Sequence, residues 1–192
     1  WPAEISLAFN VSPVLLRDPN FGADLVGLVS RTRLPLHRLE LEITESALVR
    51  DLEMTKVALE DIRQAGIRIA LADFGTGYSS LYHLRNFKLD RIKLDRSFVG
   101  AMATDPQSAA IVKALIGLGT GLGLEVTAEG VETEEQRLVL EAEGCQQGQG
   151  FFFGDAMSAP EVMRLLRQSE ADLQQSGGGS GSGEPVLPER RG

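Results

Sequence analysis

The chain has 192 residues, with 19 lysines and arginines against 27 acids, a net charge of −8. That length suits one domain. The acidic balance argues against a protein that grips DNA through a basic face, although an acidic chain can still hold a nucleotide through metal ions. Cys145 is the single cysteine, so an internal disulfide is excluded and nothing points to an oxidising compartment. No apolar run approaches the ~18 residues of a membrane span, and there is no signal-peptide pattern. The segment is therefore expected to be cytoplasmic with no membrane contact of its own; a tether elsewhere in a parent protein stays open. Because the sequence opens on Trp1, it is expected to be a piece of a longer protein.

In chain order, Ile5 to Phe9 alternates apolar with small or polar residues and predicts a strand ending near Asn10. Phe21 to Val29 carries apolar residues at helical spacing. Arg38 to Ser46 predicts a second strand, with Leu39, Leu41 and Ile43 on one face and Glu40, Glu42 and Thr44 on the other. Leu52 to Ala65 reads as an amphipathic helix closed by Gly66, a residue that enters the left-handed region without strain. Ile67 to Asp95 then reads strand, glycine-rich loop, short helix, strand. Lys93 and Asp95 are two apart, so their side chains leave the second of these strands on one side.

Asp105-Pro106 has the form of an N-cap with proline at the first helical position, opening a largely buried helix through Leu118. Glu125 to Val131 predicts the next strand, and Thr133 to Gln136 a capping box. Gly148 to Gly154 is the last strand candidate, with Phe151 to Phe153 as barrel wall. Ser158 to Glu161 is a second capping box, opening a helix through Arg167. Residues 1–168 are thus expected to form one domain, and 169–192 a flexible Gly/Ser-rich tail.

Strict strand–helix alternation with short connections predicts a parallel sheet with right-handed crossovers. Asn10, Glu42, Asp73, Lys93, Glu129 and Gln149 each fall at or near the C-terminal end of a different strand. An open doubly wound sheet brings only the strands at its switch point to the ligand. A TIM-type (β/α)8 barrel brings all of them to one mouth. The barrel is the better account, with about six of its eight β/α units present and about two expected before Trp1. Glu42, Asp73, Glu129 and the amide oxygen of Asn10 form an all-oxygen set suited to Mg²⁺ or Mn²⁺. Two such ions about 4 Å apart can clamp a phosphodiester and supply hydroxide near neutral pH. Lys93 could hold the attacking water or steady the developing charge.

Other features read as structure. Gly117, Gly119, Gly121 and Gly123 close a helix and enter a strand, the reverse of a dinucleotide fingerprint, so they are assigned to turning and packing. His37 and His83 are isolated and read as solvated surface. Glu45 and Glu132 lie beyond the strand ends and read as loop support.

The chain resembles the EAL domain, the bacterial phosphodiesterase family that linearises cyclic di-GMP. The resemblance rests on Asn10 in FNVS, EITE from Glu42 to Glu45, DFGTGYSSL from Asp73 to Leu81, IKLDRSF from Ile92 to Phe98, AEGVET from Ala128 to Thr133 and GQGFFFG from Gly148 to Gly154, in family order over Ile5 to about Arg167. It implies a (β/α)8 barrel with a two-metal Mg²⁺ or Mn²⁺ site, usually as a homodimer, with an upstream sensory or GGDEF-type domain. It implies Asn10, Glu42, Asp73 and Glu129 as metal ligands and Lys93 as the group that positions or activates the attacking water. Glu132 and Gln149 would assist at the metal and water, and Asp95 would support Lys93. Glu45 would brace the loop that carries Gly75, Thr76 and Gly77.

Two departures bear on activity. Where the family has two adjacent acids, this chain has Ala72-Asp73, and a methyl group cannot ligate a metal. The Glu-Ala-Leu motif that names the family, whose glutamate is a further ligand, is absent from this sequence. The expected function is metal-dependent hydrolysis of cyclic di-GMP to linear pGpG, impaired in this chain. The alternative is a degenerate EAL domain that serves as a cyclic di-GMP receptor or a regulatory dimerisation module.

Overall fold

The structure, a computed structural model, describes residues 5–50, 52–75, 84 and 86–176. Of the described residues, those up to Asp155 form one compact unit, and 156–176 belong to another. In the first unit, β1 (Leu7–Asn10), β2 (Leu39–Thr44), β3 (Arg68–Phe74), β4 (Arg91–Leu94), β5 (Glu125–Glu129) and β6 (Gln147–Gln149) make one sheet. Every neighbouring pair is parallel, and the strands lie in sequence order. A doubly wound sheet must reverse its strand order at a switch point. This sheet never does, which is the order of a TIM-type barrel carried over six units.

Between the strands run α1 (Phe21–Ser30), α2 (Glu45–Arg50), α3 (Leu52–Gln64), α4 (Arg96–Ala101), α5 (Pro106–Gly121) and α6 (Glu134–Ala142). One face of the sheet supplies the core. Leu41, Ile43, Ile69, Leu71, Ile92, Leu94 and Val126 are fully or almost fully buried, in one cluster with Ile62 of α3, Val99 of α4 and Ile116 of α5. Each such side chain contributes about 1.5–3 kcal/mol when removed from water. Because alternate residues alone do this, the intervening positions on every strand are released for other uses.

Local signals fix the element ends. Gly66 follows α3 at φ +93°, its N–H donating to the Arg63 carbonyl at 2.9 Å. Asp105 caps α5, accepting from the N–H groups of Gln107 and Ser108 at 3.1 and 3.0 Å, ahead of Pro106. Thr133 and Gln136 complete both halves of the capping box of α6. At Ser158 only one half forms: its N–H and Oγ donate to the Glu161 carboxylate at 2.8 and 2.6 Å. In the second unit, the helix that this opens, α7 (Ala159–Ser176), runs on past Arg167.

The structure departs from the sequence pattern at four places. The second strand stops at Thr44, and Glu45 already belongs to α2. The fifth strand ends at Glu129, because Gly130 turns at φ +70°. The last strand is Gln147–Gln149 rather than Gly148–Gly154, and Phe151, Phe152 and Phe153 are exposed rather than wall. The reason is local: Gly150 presses against the Val131 backbone, and Phe152 and Phe153 turn back with N–H bonds to Val131 and Gly150. Finally, α5 buries only one stripe, Val112, Ile116 and Gly119. The short helix expected after the glycine-rich loop lies largely outside the described residues.

Gly119 explains the glycine run through packing. A Cβ there would sit 2.6 Å from Val126 Cγ2 and 2.8 Å from Ile92 Cδ1. Gly119→Ala should therefore lower stability by about 1–3 kcal/mol, the usual cost of overpacking. Chemical denaturation checks this, and an unchanged midpoint would show that α5 is not seated on β4 and β5 as described.

Candidate active site

The positions that the core leaves free carry charge. On β4, Lys93 projects to the face opposite its buried neighbours Ile92 and Leu94. Its Nζ lies 2.7 Å from Glu42 Oε1 of β2 and 2.6 Å from Glu129 Oε1 of β5. The lysine side chain is 4% exposed, Glu42 11% and Glu129 22%. Glu42 is separated from Lys93 by β3, where its register partner is Ala70. That methyl leaves room for a pairing that skips a strand. Burial alone would lower the ammonium pKa of Lys93. The hydrogen bonds to Glu129 and Glu42 outweigh it and hold the pKa above the usual lysine range.

Strand register sets two further sequence-predicted residues beside this cluster. Asn10 is the register partner of Glu42, and Gln149 that of Glu129; both are exposed at their strand ends. Asp73 is half-buried at φ +55°, inside an irregularity in the β3–β4 pairing between Leu71 and Phe74. A non-glycine residue in that region is uncommon, and such strain gathers at functional sites. Glu132 is exposed, and its N–H donates to Gln136 Oε1 at 2.7 Å. Asp95 caps α4, accepting from Ser97 N–H at 2.9 Å and from Ser97 Oγ, so its hydrogen bonds serve the helix rather than Lys93. Glu45 is buried, and neither carboxylate oxygen has a hydrogen-bond partner among the described residues. Gly75 turns at φ +100° beside Phe98 and Leu115. Thr76, Gly77 and His83 lie outside the described residues, and His37 is exposed.

Sequence reasoning missed a second charged tier, nearer the N-terminal ends of β2 to β5. Arg91 reaches Glu40 at 3.3 Å and Glu125 at 2.5 Å; Arg68 reaches Glu125 at 2.7 Å and Glu40 at 3.6 Å. The four close a ring. Burial raises the Glu40 pKa, an effect that Arg91 and Arg68 only partly offset. The signal was present: Glu40 precedes Glu42, and Arg91 precedes Lys93, by the two residues that keep a strand side chain on one face.

The donor chemistry suits a hard divalent ion, since Asn10, Glu42, Asp73 and Glu129 offer oxygen only. The arrangement fits one less fully. Glu42 and Glu129 converge on the Lys93 ammonium, and among the described residues no group of three or more His, Cys, Asp or Glu side chains is placed to hold a metal. Ala72, 4% exposed beside Thr44, offers a methyl group there. A groove lined by Lys56, Glu60 and Arg63 of α3 and by Asn86, Phe87 and Lys88 includes none of these residues. No helix among the described residues is long and apolar enough to cross a membrane.

Comparison with known proteins agrees with this geometry. The family model described as "EAL domain" matches residues 1–156. The cyclic di-GMP phosphodiesterase PA2567 of Pseudomonas aeruginosa is 39% identical over 164 residues, 85% of this chain and 28% of that protein. The EAL domain of Mycobacterium smegmatis DcpA superposes with a TM-score of 0.81 at 40% identity, over 85% of this chain and 74% of that one. A manganese/cyclic di-GMP complex of Klebsiella pneumoniae BlrP1 gives 0.72 at 32% identity, over 78% and 38%. The chain spans 19–28% of the length of curated relatives that are 36–44% identical to it. With a family model over most of its length and a TIM-type strand order, this chain belongs to the EAL domain family.

Proposed function

We propose that the protein carrying this chain hydrolyses cyclic di-GMP to linear pGpG with the help of Mg²⁺ or Mn²⁺. The observation that carries this reading is the buried Lys93 ammonium shared by Glu42 and Glu129 at the C-terminal ends of three parallel strands. The named activity of a relative and the ligands of a solved neighbour support the substrate.

In this reading Asn10, Glu42, Asp73 and Glu129 would hold the divalent ions, which supply an acidified water and neutralise phosphoryl charge. Lys93 has three N–H donors and commits two to the glutamates. With Glu42 and Glu129 holding the ions, the N–H donors they release would serve the attacking water or a phosphoryl oxygen. The water oxygen bonds to phosphorus, the bond from phosphorus to the 3′ oxygen breaks, and that oxygen takes up a proton. The product keeps a 5′ phosphate and gains a 3′ hydroxyl. Glu132 and Gln149, exposed beside the mouth, would orient water or nucleotide. Glu45 would brace the loop that begins at Gly75 and continues through Thr76 and Gly77, and Asp95 would fix the backbone after Lys93 by capping α4. A homodimer and an upstream sensory or GGDEF-type domain belong to the same reading.

The second reading, a receptor or dimerisation module, is favoured by one residue, Ala72. Ala72→Asp separates the two. A buried carboxylate without a cation is costly, so this variant should melt lower than the parent in EDTA and gain more from Mn²⁺ than the parent does, closing the gap between them. Turnover in Mn²⁺ should rise about tenfold or more. If Mn²⁺ fails to restore the variant, position 72 does not face the metal. Binding of cyclic di-GMP with no turnover in either form would favour the receptor.

Lys93→Met should lower kcat about a hundredfold, as loss of a preorganised donor does. Its affinity for cyclic di-GMP should change only a few fold. Steady-state kinetics and calorimetry on the parent protein check this; an unchanged kcat would remove Lys93 from the reaction.

A further inference from the structure

Two buried polar atoms have no hydrogen-bond partner among the described residues: Nε of Arg91, in the lower ring, and Oγ1 of Thr127, between the two tiers. Both side chains share the inward face of the sheet. Arg91 pairs there with Glu40 and Glu125, and Lys93, two residues on, with Glu42 and Glu129. Thr127 stands between Glu125 and Glu129 on β5, and only 5% of it is exposed. In the β4–β5 register Arg91 is opposite Glu125 and Lys93 opposite Thr127. The two unpartnered atoms are thus on adjacent strands, one rung apart, with the Lys93 side chain beside Thr127.

Their chemistry is complementary only through a third party. Arg91 Nε–H can donate but not accept, and so can the remaining N–H of Lys93; the threonine hydroxyl does both. A buried hydroxyl or guanidinium N–H without a partner is destabilising, and valine would fill the threonine's volume without that cost. One water satisfies the set: its oxygen accepts from Arg91 Nε and Lys93 Nζ, and one of its hydrogens goes to Thr127 Oγ1. Three polar partners is the usual complement of a buried water.

We propose that an ordered water is bound between Arg91, Lys93 and Thr127. It joins the lower ion ring to the Lys93 cluster and makes Thr127 and Arg91 positioning residues for the Lys93 ammonium. The catalytic part of this inference rests on Lys93 acting in phosphodiester hydrolysis; the water site does not.

The test uses the full-length parent protein with Thr127→Val and Thr127→Ser, read by melting temperature and by kcat and KM for cyclic di-GMP. Thr127→Val should melt a few degrees lower, and its kcat should fall about tenfold at unchanged KM, the effect of one hydrogen bond to a charged group. Thr127→Ser should retain both values. A Thr127→Val protein that melts at or above the parent overturns the water site. A lower melting point with kcat unchanged overturns the positioning role, and a serine variant as impaired as valine assigns the effect to the lost methyl and overturns both. If the parent itself leaves cyclic di-GMP intact, the proposed function and the positioning role that rests on it fail, while the melting comparison still decides the water site.

Discussion

One ammonium group, that of Lys93, constrains how this half-barrel can be built. It reaches across β3 to Glu42 and sideways to Glu129, so three strands must hold their register to within one residue for both contacts to form. A slip of one residue on any of them would send its side chain to the opposite face. Breaking a buried pair by removing one partner typically costs about 3–5 kcal/mol, because the charge left behind has no solvent to replace its partner. The cluster therefore reports on strand register as much as on chemistry. It also explains why β3 carries Ala70 on this face: a larger side chain would stand between the lysine and Glu42.

The lower ring repeats the same device. Arg91 bridges to Glu40 across β3, and Arg68 to Glu125 across β4, so again the pairings skip a strand. The inner face of β2 to β5 is thus a ladder of charge: two arginines and two glutamates below, one lysine and two glutamates above. The outer face of the same strands is wholly apolar and holds α3, α4 and α5. Cohesion and chemistry are divided between the two faces of one sheet, which is why strand-end acids and a buried lysine can coexist with a dense core.

Much of this was legible in the sequence, for physical reasons. Alternation in LELEIT separates apolar from acidic positions, and caps such as Asp105-Pro106 and Thr133/Gln136 act locally, so their signal needs no tertiary information. The six polar strand ends could be read because each follows an apolar run. What could not be read depends on contacts distant in sequence. That Glu129 and Glu42 would share Lys93 is a statement about register. The ring of Glu40, Arg68, Arg91 and Glu125 was hidden because each member, taken singly, looks like a solvated charge. Phe151 to Phe153 mimics a buried strand by composition; the close approach of Gly150 to the Val131 backbone ends β6 two residues earlier. That Asp95 also caps α4, accepting from the backbone N–H and hydroxyl of Ser97, was not read from its place two residues after Lys93.

The central claim, that Lys93 binds Glu129 within one buried cluster, is tested most directly by a double-mutant cycle in stability with Lys93→Met and Glu129→Gln. The geometry predicts non-additivity of roughly 1–3 kcal/mol, the double variant losing less than the sum of the single ones. Additivity within about 0.5 kcal/mol would mean that the two side chains do not interact, and the site as described would be wrong.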